Sequence, residues 1–186
     1  PAPSSLRPCR SARQAAGQAM TTLTVADLIS AFRGISTTES PEKFILLREI
    51  ERHDAAETTA FLASVASDSA EFDLARIEAL NILEVRRSDD LVVARAIESA
   101  LAPGQDHLVR LHAARALAGV IAVPGVAAVA ARYVLDAKED ADVRHNAFAA
   151  LKKGGPTPEA VQLVRTCLTD RRFGEPAKRV LARWGG

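Results

Sequence analysis

Aromatic residues are scarce in this chain, 4% of 186 positions with one tryptophan and one tyrosine, and that argues against a β-sandwich or barrel built on bulky, β-branched and aromatic side chains. Cysteine is nearly absent as well. Cys9 and Cys167 stand far apart, so they form neither a disulfide framework nor a paired metal motif, and a reducing compartment is expected. There is no excess charge, and a formal net charge of +1 lacks the global field of a dedicated nucleic-acid binder. No apolar run is long enough to span a membrane. The stretch Leu117 to Leu135 comes nearest, but Gly119 and the Pro124-Gly125 pair split it into two short helical faces joined by a turn.

What the chain has is alanine and a hydrophobic content of 48%, enough to bury a core and suited to helices packed closely through small side chains. One all-α domain is expected over residues 20–186. Residues 1–19 stand apart, with Pro1, Pro3, Pro8, three serines, Arg7, Arg10 and Arg13 but no acid and no apolar period. They read as a disordered tail. Met20 is the sole methionine and is expected to be the natural start, which makes the preceding residues an appended or mis-assigned leader. An organellar transit peptide shares the Arg- and Ser-rich, acid-poor character, whereas a secretory signal would need an apolar segment that is missing.

A period of 34 residues organises the rest. Arg76, Arg110, Arg144 and Lys178 each follow the last by 34 positions, and each is preceded by a small apolar residue: Ala75, Val109, Val143 and Ala177. Three positions after the base stand Ala79, Ala113, Ala147 and Leu181; six after stand Ile82, Ala116, Ala150 and Trp184; seven after stand Leu83, Leu117 and Leu151. These offsets place the apolar side chains on one helix face, so each repeat opens with an amphipathic helix.

A second helix follows in each unit: Glu57 to Val65 in divergent form, then Asp89 to Leu101, Val126 to Leu135 and Glu159 to Leu168. Leu62, Ala96, Ala130 and Val164 keep the period on these helices. Pro103-Gly104, Pro124-Gly125 and Gly154-Gly155-Pro156 supply turns. Pro41 behind Ser40, and Pro158 behind Thr157, suit the first helical position after a capping residue, and Pro176 suits an early position in the last helix. The layout is a leading helix over Thr24 to Arg33, four helical pairs from Pro41 to Asp170, and a closing half-repeat from Glu175 to Trp184. Leu28, Ile29 and Phe32 are expected to close one end of the stack, and Trp184 to close the other rather than stack on a base.

The segments Val109-Arg110-Leu111-His112-Ala113-Ala114-Arg115-Ala116-Leu117 and Val143-Arg144-His145-Asn146-Ala147-Phe148-Ala149-Ala150-Leu151 resemble the V-R-x-x-A-x-x-A-L helix of short bacterial HEAT repeats, including those of the PBS-lyase type. Asp106 and Asp140, four residues before their arginines, match the aspartate that opens the helix in that pattern; the second unit shifts it to Asp73, and the last has no equivalent. The resemblance covers Phe72 to Trp184 well and Pro41 to Asp68 loosely, and it implies a right-handed αα-superhelix. Tetratricopeptide repeats share the period, but their Trp-x-x-Leu-Gly-x-x-Tyr pattern is missing from the first helices.

No catalytic, cofactor-binding or metal-ligating constellation emerges. His53, His107, His112 and His145 have no ligand spacing and read as surface residues, and no nucleophile elbow or phosphate loop occurs. The basic column, in register with a preceding aspartate, reads as cement between repeats rather than as a phosphate ladder. Asp89-Asp90 and Glu139-Asp140 fall at helix starts, where they favour the helix dipole. Arg95, Arg132 and Arg165 on the second helices are out of register and interleaved with Glu98, Asp136 and Glu159, so no repeated binding stripe forms there.

Charge does shift along the chain. Residues 20–137 hold eleven bases and seventeen acids, whereas residues 138–186 hold ten bases and six acids, with Lys152, Lys153, Arg171, Arg172, Lys178, Arg179 and Arg183 in the basic part. The expectation is a cytoplasmic interaction module, an adaptor, scaffold or regulatory subunit with a protein partner and with no metal, cofactor or membrane. The resemblance also admits enzymes, since some HEAT-like proteins act in bilin attachment and others are DNA glycosylases; a further alternative is sequence-independent nucleic-acid binding by the basic end.

Overall fold

The structure, a computed structural model, describes residues 23–36 and 40–185, so the reading of residues 1–19, with Cys9 and Met20, lies outside the described residues. Among the described residues there are ten α-helices and no strand: α1 (Val25–Gly34), α2 (Pro41–Glu51), α3 (Ala56–Ser67), α4 (Asp73–Arg86), α5 (Leu91–Leu101), α6 (His107–Ala116), α7 (Val126–Leu135), α8 (Ala141–Lys153), α9 (Pro158–Thr166) and α10 (Gly174–Trp184). Short 3₁₀ turns at Leu117–Gly119 and Cys167–Thr169 follow α6 and α9. No helix among the described residues is long and apolar enough to cross a membrane.

Local chemistry sets where these helices begin. At α1 the Thr24 hydroxyl accepts from the Asp27 N–H while the Asp27 carboxylate accepts from the Thr24 N–H, a reciprocal capping box. Asp90, Asp106 and Asp140 cap α5, α6 and α8 by accepting from backbone N–H groups of the first turn, and Thr157 caps α9 ahead of Pro158. Ser40 does not cap α2. Its hydroxyl donates to the Glu42 carboxylate instead, leaving Pro41 to start the helix by its fixed φ.

The first helices form a series in which α2 packs on α4, α4 on α6 and α6 on α8. Among second helices, α3 packs on α5 and α7 on α9, and each second helix also packs on the next first helix, α3 on α4, α5 on α6, α7 on α8 and α9 on α10. The repeated small residues make this closeness possible: Ala79, Ala113 and Ala147 are fully buried, as are Leu62, Ala130 and Val164 in the second-helix column. At the ends, α1 buries Val25, Leu28, Ile29 and Phe32, with Phe32 edge-on to Phe61, and α10 buries Ala177, Val180 and Leu181 with Trp184 packed against the same core.

Gly119 marks the tightest approach. A Cβ there would stand 2.5 Å from the Leu83 carbonyl oxygen, so only glycine lets the turn after α6 lie against the end of α4, where the Ser88 N–H donates to the Gly119 carbonyl at 2.9 Å.

Candidate interaction surface

The residues that repeat are spent on holding the stack together. Arg110 donates from Nε to the Leu101 carbonyl at 3.1 Å, in the last turn of α5, and from its terminal nitrogen to Glu139, which precedes the cap of α8. Arg144 does the same with the Val134 carbonyl at 2.8 Å and the Asp170 carboxylate. Arg76 uses the Ala66 carbonyl at 3.4 Å, the Gln105 side-chain oxygen at 2.7 Å and Asp73 at 3.2 Å. Each arginine therefore satisfies a carbonyl that a helix C-terminus leaves without a partner, places positive charge at the negative end of that helix, and reaches forward to the following turn.

The arginines' partners differ from those the spacing suggests. Asp106 and Asp140 serve as caps, and the residue just before each, Gln105 or Glu139, takes the guanidinium. Glu139 is thus an ion-pair partner rather than a residue serving the helix dipole. In the last unit Asp170 accepts from Arg144 and from the Arg172 and Phe173 N–H groups of the turn that leads into α10, a helix with no side-chain cap of its own. Lys178 leaves the pattern: it is exposed and pairs with Glu175 on its own helix. A base missed by the period takes up the first rung. Lys43, 5% exposed, pairs with Glu71 at 2.7 Å and lies over the Phe32 ring, one residue out of step with the column.

A second polar seam runs between the first helices. Arg48 of α2 meets Glu78 of α4; Asn81 meets His112 and Arg115 of α6 at 2.8 and 2.9 Å; Glu84 binds Arg115 at 2.6 Å and Lys153 of α8 at 3.0 Å. His112 is thus half-buried rather than a surface residue, and burial, aided by the Arg115 charge, pulls its pKa below the ordinary imidazole value. Its Nδ1 donates to Asn81. His107 and His145 are exposed, and among the described residues no group of three potential metal ligands comes together.

Large apolar residues are exposed on the second helices, at Leu91, Val92 and Leu135, and on the first helices, where several of them cluster. Phe44, Ile45 and Leu74 line a groove of about 520 Å³ between the N-terminal parts of α2 and α4, together with Pro41, Phe72 and the stem of Lys43. Ile45 is 60% exposed and Leu74 55%. Leu108, also exposed, occupies on α6 the position that Leu74 occupies on α4. This row ends at α8, where the equivalent residue is Asp142.

No protein-family model, curated protein or solved structure matches the chain. The sequence carried one signal for the groove, the 34-residue spacing of Leu74 and Leu108 two positions before the base, and Asp142 and Pro176 interrupt it in the later repeats.

The basic end offers a different surface. Lys152, Lys153, Arg171, Arg172, Lys178, Arg179 and Arg183 are exposed, but Lys153 is tied to Glu84 and Lys178 to Glu175. On the second helices Arg95, Arg132 and Arg165 point to solvent without a common register. Cys167 is buried, and loss of hydration pushes its thiol up to about 11, which makes it a core residue and not a nucleophile.

Proposed function

We propose that this chain is a HEAT-like right-handed αα-superhelix that works as a cytoplasmic protein-interaction module, an adaptor, scaffold or regulatory subunit, and not as an enzyme. The observation carrying this reading is the division of labour among exposed and buried residues. The repeated arginines are consumed within the stack, while Phe44, Ile45, Leu74 and Leu108 are held in solvent on consecutive first helices. Keeping large apolar side chains in water is unfavourable by roughly 25 cal/mol per Å² of exposed apolar area, and a clustered patch of this kind marks a surface that another molecule covers. The helical pairs supply a rigid base for it.

Affinity purification of the full chain from its native cell tests the proposal. A stoichiometric protein partner is expected, lost on Ile45→Ser/Leu74→Ser and retained on Arg179→Ala/Arg183→Ala. Repeated recovery of no stoichiometric partner overturns it. Incubation with bilin is expected to leave the protein colourless, and a coloured covalent adduct would replace this reading with the bilin-attachment alternative.

A further inference from the structure

We infer that the groove between α2 and α4 is the seat for a basic amphipathic helix of a partner protein, its apolar face on Phe44, Ile45 and Leu74 and its lysines or arginines over Glu42 and Asp73. The inference rests on the interaction-module reading and adds to it the place and the chemistry of the partner.

Charge decides the sign of the partner. The bases at this end of α2, α4 and α6 are withdrawn from solvent: Lys43 beneath the groove with Glu71, Arg76 at 2% exposure, and Arg110 against Glu139. Two acids beside the groove stay outside: Glu42 is exposed, accepting only from the Ser40 hydroxyl, and the Asp73 side chain is half-exposed, with Arg76 on its inner side. The nearest exposed bases are already engaged, Arg48 with Glu78 and Glu51 on α2, and Arg33 over the Phe61 ring beyond the Lys43–Glu71 pair. An approaching chain therefore meets an apolar floor with an acidic rim, which attracts cations and repels anions.

Shape decides the form of the partner. Among the described residues there is no strand whose edge could take an extended peptide, whereas a channel between two helix N-terminal segments accepts side chains at i, i+3, i+4 and i+7 of a third helix. A second copy fits poorly groove to groove, because that would bring acidic rim against acidic rim, and it fits poorly through the basic outer side of α10, where Lys178, Arg179 and Arg183 are accompanied by no exposed large apolar residue.

The test uses fluorescence anisotropy with three labelled 18-residue peptides against the full chain. One has leucine at helical period with lysine elsewhere; the second has the same residues in scrambled order; the third carries glutamate in place of lysine. The periodic lysine peptide is expected to bind about tenfold more tightly than either of the others, and to weaken several-fold on raising salt from about 50 to about 500 mM as the rim is screened. Ile45→Ser/Leu74→Ser should lower its affinity about tenfold with helical content unchanged, Glu42→Lys a few-fold, and Arg179→Ala/Arg183→Ala not at all. Equal binding of the three peptides, or unchanged affinity in the groove variant, overturns the inference. So does a wild-type dimer in sedimentation that the groove variant abolishes, since the occupant is then a second copy. A cellular partner that the groove variant still captures overturns the groove alone, whereas peptide binding without any cellular partner overturns only the interaction-module reading.

Discussion

Two rungs of the arginine ladder are built on the same helix position and end differently. Arg110 meets a carboxylate, Glu139, whose side chain is 7% exposed; Arg76, the more deeply buried cation, meets the neutral amide of Gln105 and only a half-exposed carboxylate, Asp73, on its own helix. A buried ion pair and a buried ion held by dipoles respond differently to damage. Register fixes where the guanidinium goes, while the loop residue 29 positions ahead, Gln105 or Glu139, fixes how much charge compensation it finds.

The largest effect should come from the fully paired rung. Arg110→Ala leaves Glu139 buried without a cation and the Leu101 carbonyl with only the Tyr133 hydroxyl as donor, and is expected to cost about 3–5 kcal/mol in urea unfolding. Arg76→Met fills a similar volume and strands only neutral acceptors in the interior, so about 1–2 kcal/mol should be lost. Equal losses at the two positions would show that helix-end carbonyls, common to both rungs, carry the stabilisation, and that the acids add little.

Much of this architecture could be read from the chain because it rests on repeated, local decisions. Asp, Thr and Pro signals placed the helix starts, the 34-residue columns placed the core, and α7 begins and ends at Val126 and Leu135 as its pattern indicates. The ladder's acids escaped that reading because they are defined by the path of a loop. Glu139 and Asp140 are adjacent in sequence, and only the folded turn assigns one to the guanidinium and the other to the helix cap. Lys43 escaped because it sits one residue off the period, and a rigid column excludes it although its ammonium reaches the same kind of partner. The groove escaped for a third reason: Ile45, Leu74 and Leu108 look like core residues in a pattern, and their exposure follows from the packing direction of α2, α4 and α6.

The contrast between the rungs can also be erased. Gln105→Glu is nearly isosteric and would give Arg76 the carboxylate that Arg110 already has, so it should raise stability by about 1 kcal/mol, seen as a higher urea midpoint with an unchanged slope. No gain, or a loss, would mean that Asp73 already neutralises Arg76.

Acid separates the two kinds of rung by a smaller effect. At Asp170 burial alone would raise the pKa, but the Phe173 and Arg172 N–H groups and the Arg144 guanidinium outweigh it and hold the carboxyl below the usual 3.8. A carboxylate depressed in the folded state stabilises fully above its unfolded pKa, and that contribution fades as pH falls through the lower folded value. Stability measured below pH 3.8 should therefore fall less steeply in Asp170→Asn than in the wild type, while Gln105, which has no proton to gain, adds nothing to the slope. His112 works in a separate window. Its folded pKa lies below 6.5 because burial disfavours the imidazolium, so the unfolded chain binds the proton first and stability declines as pH drops from 6.5 toward the folded value. His112→Gln keeps a donor for Asn81 and removes the titration; a urea midpoint that falls between pH 7 and 5 in the wild type should be flatter in this variant, and an identical slope would place the sensitivity elsewhere than the first-helix seam.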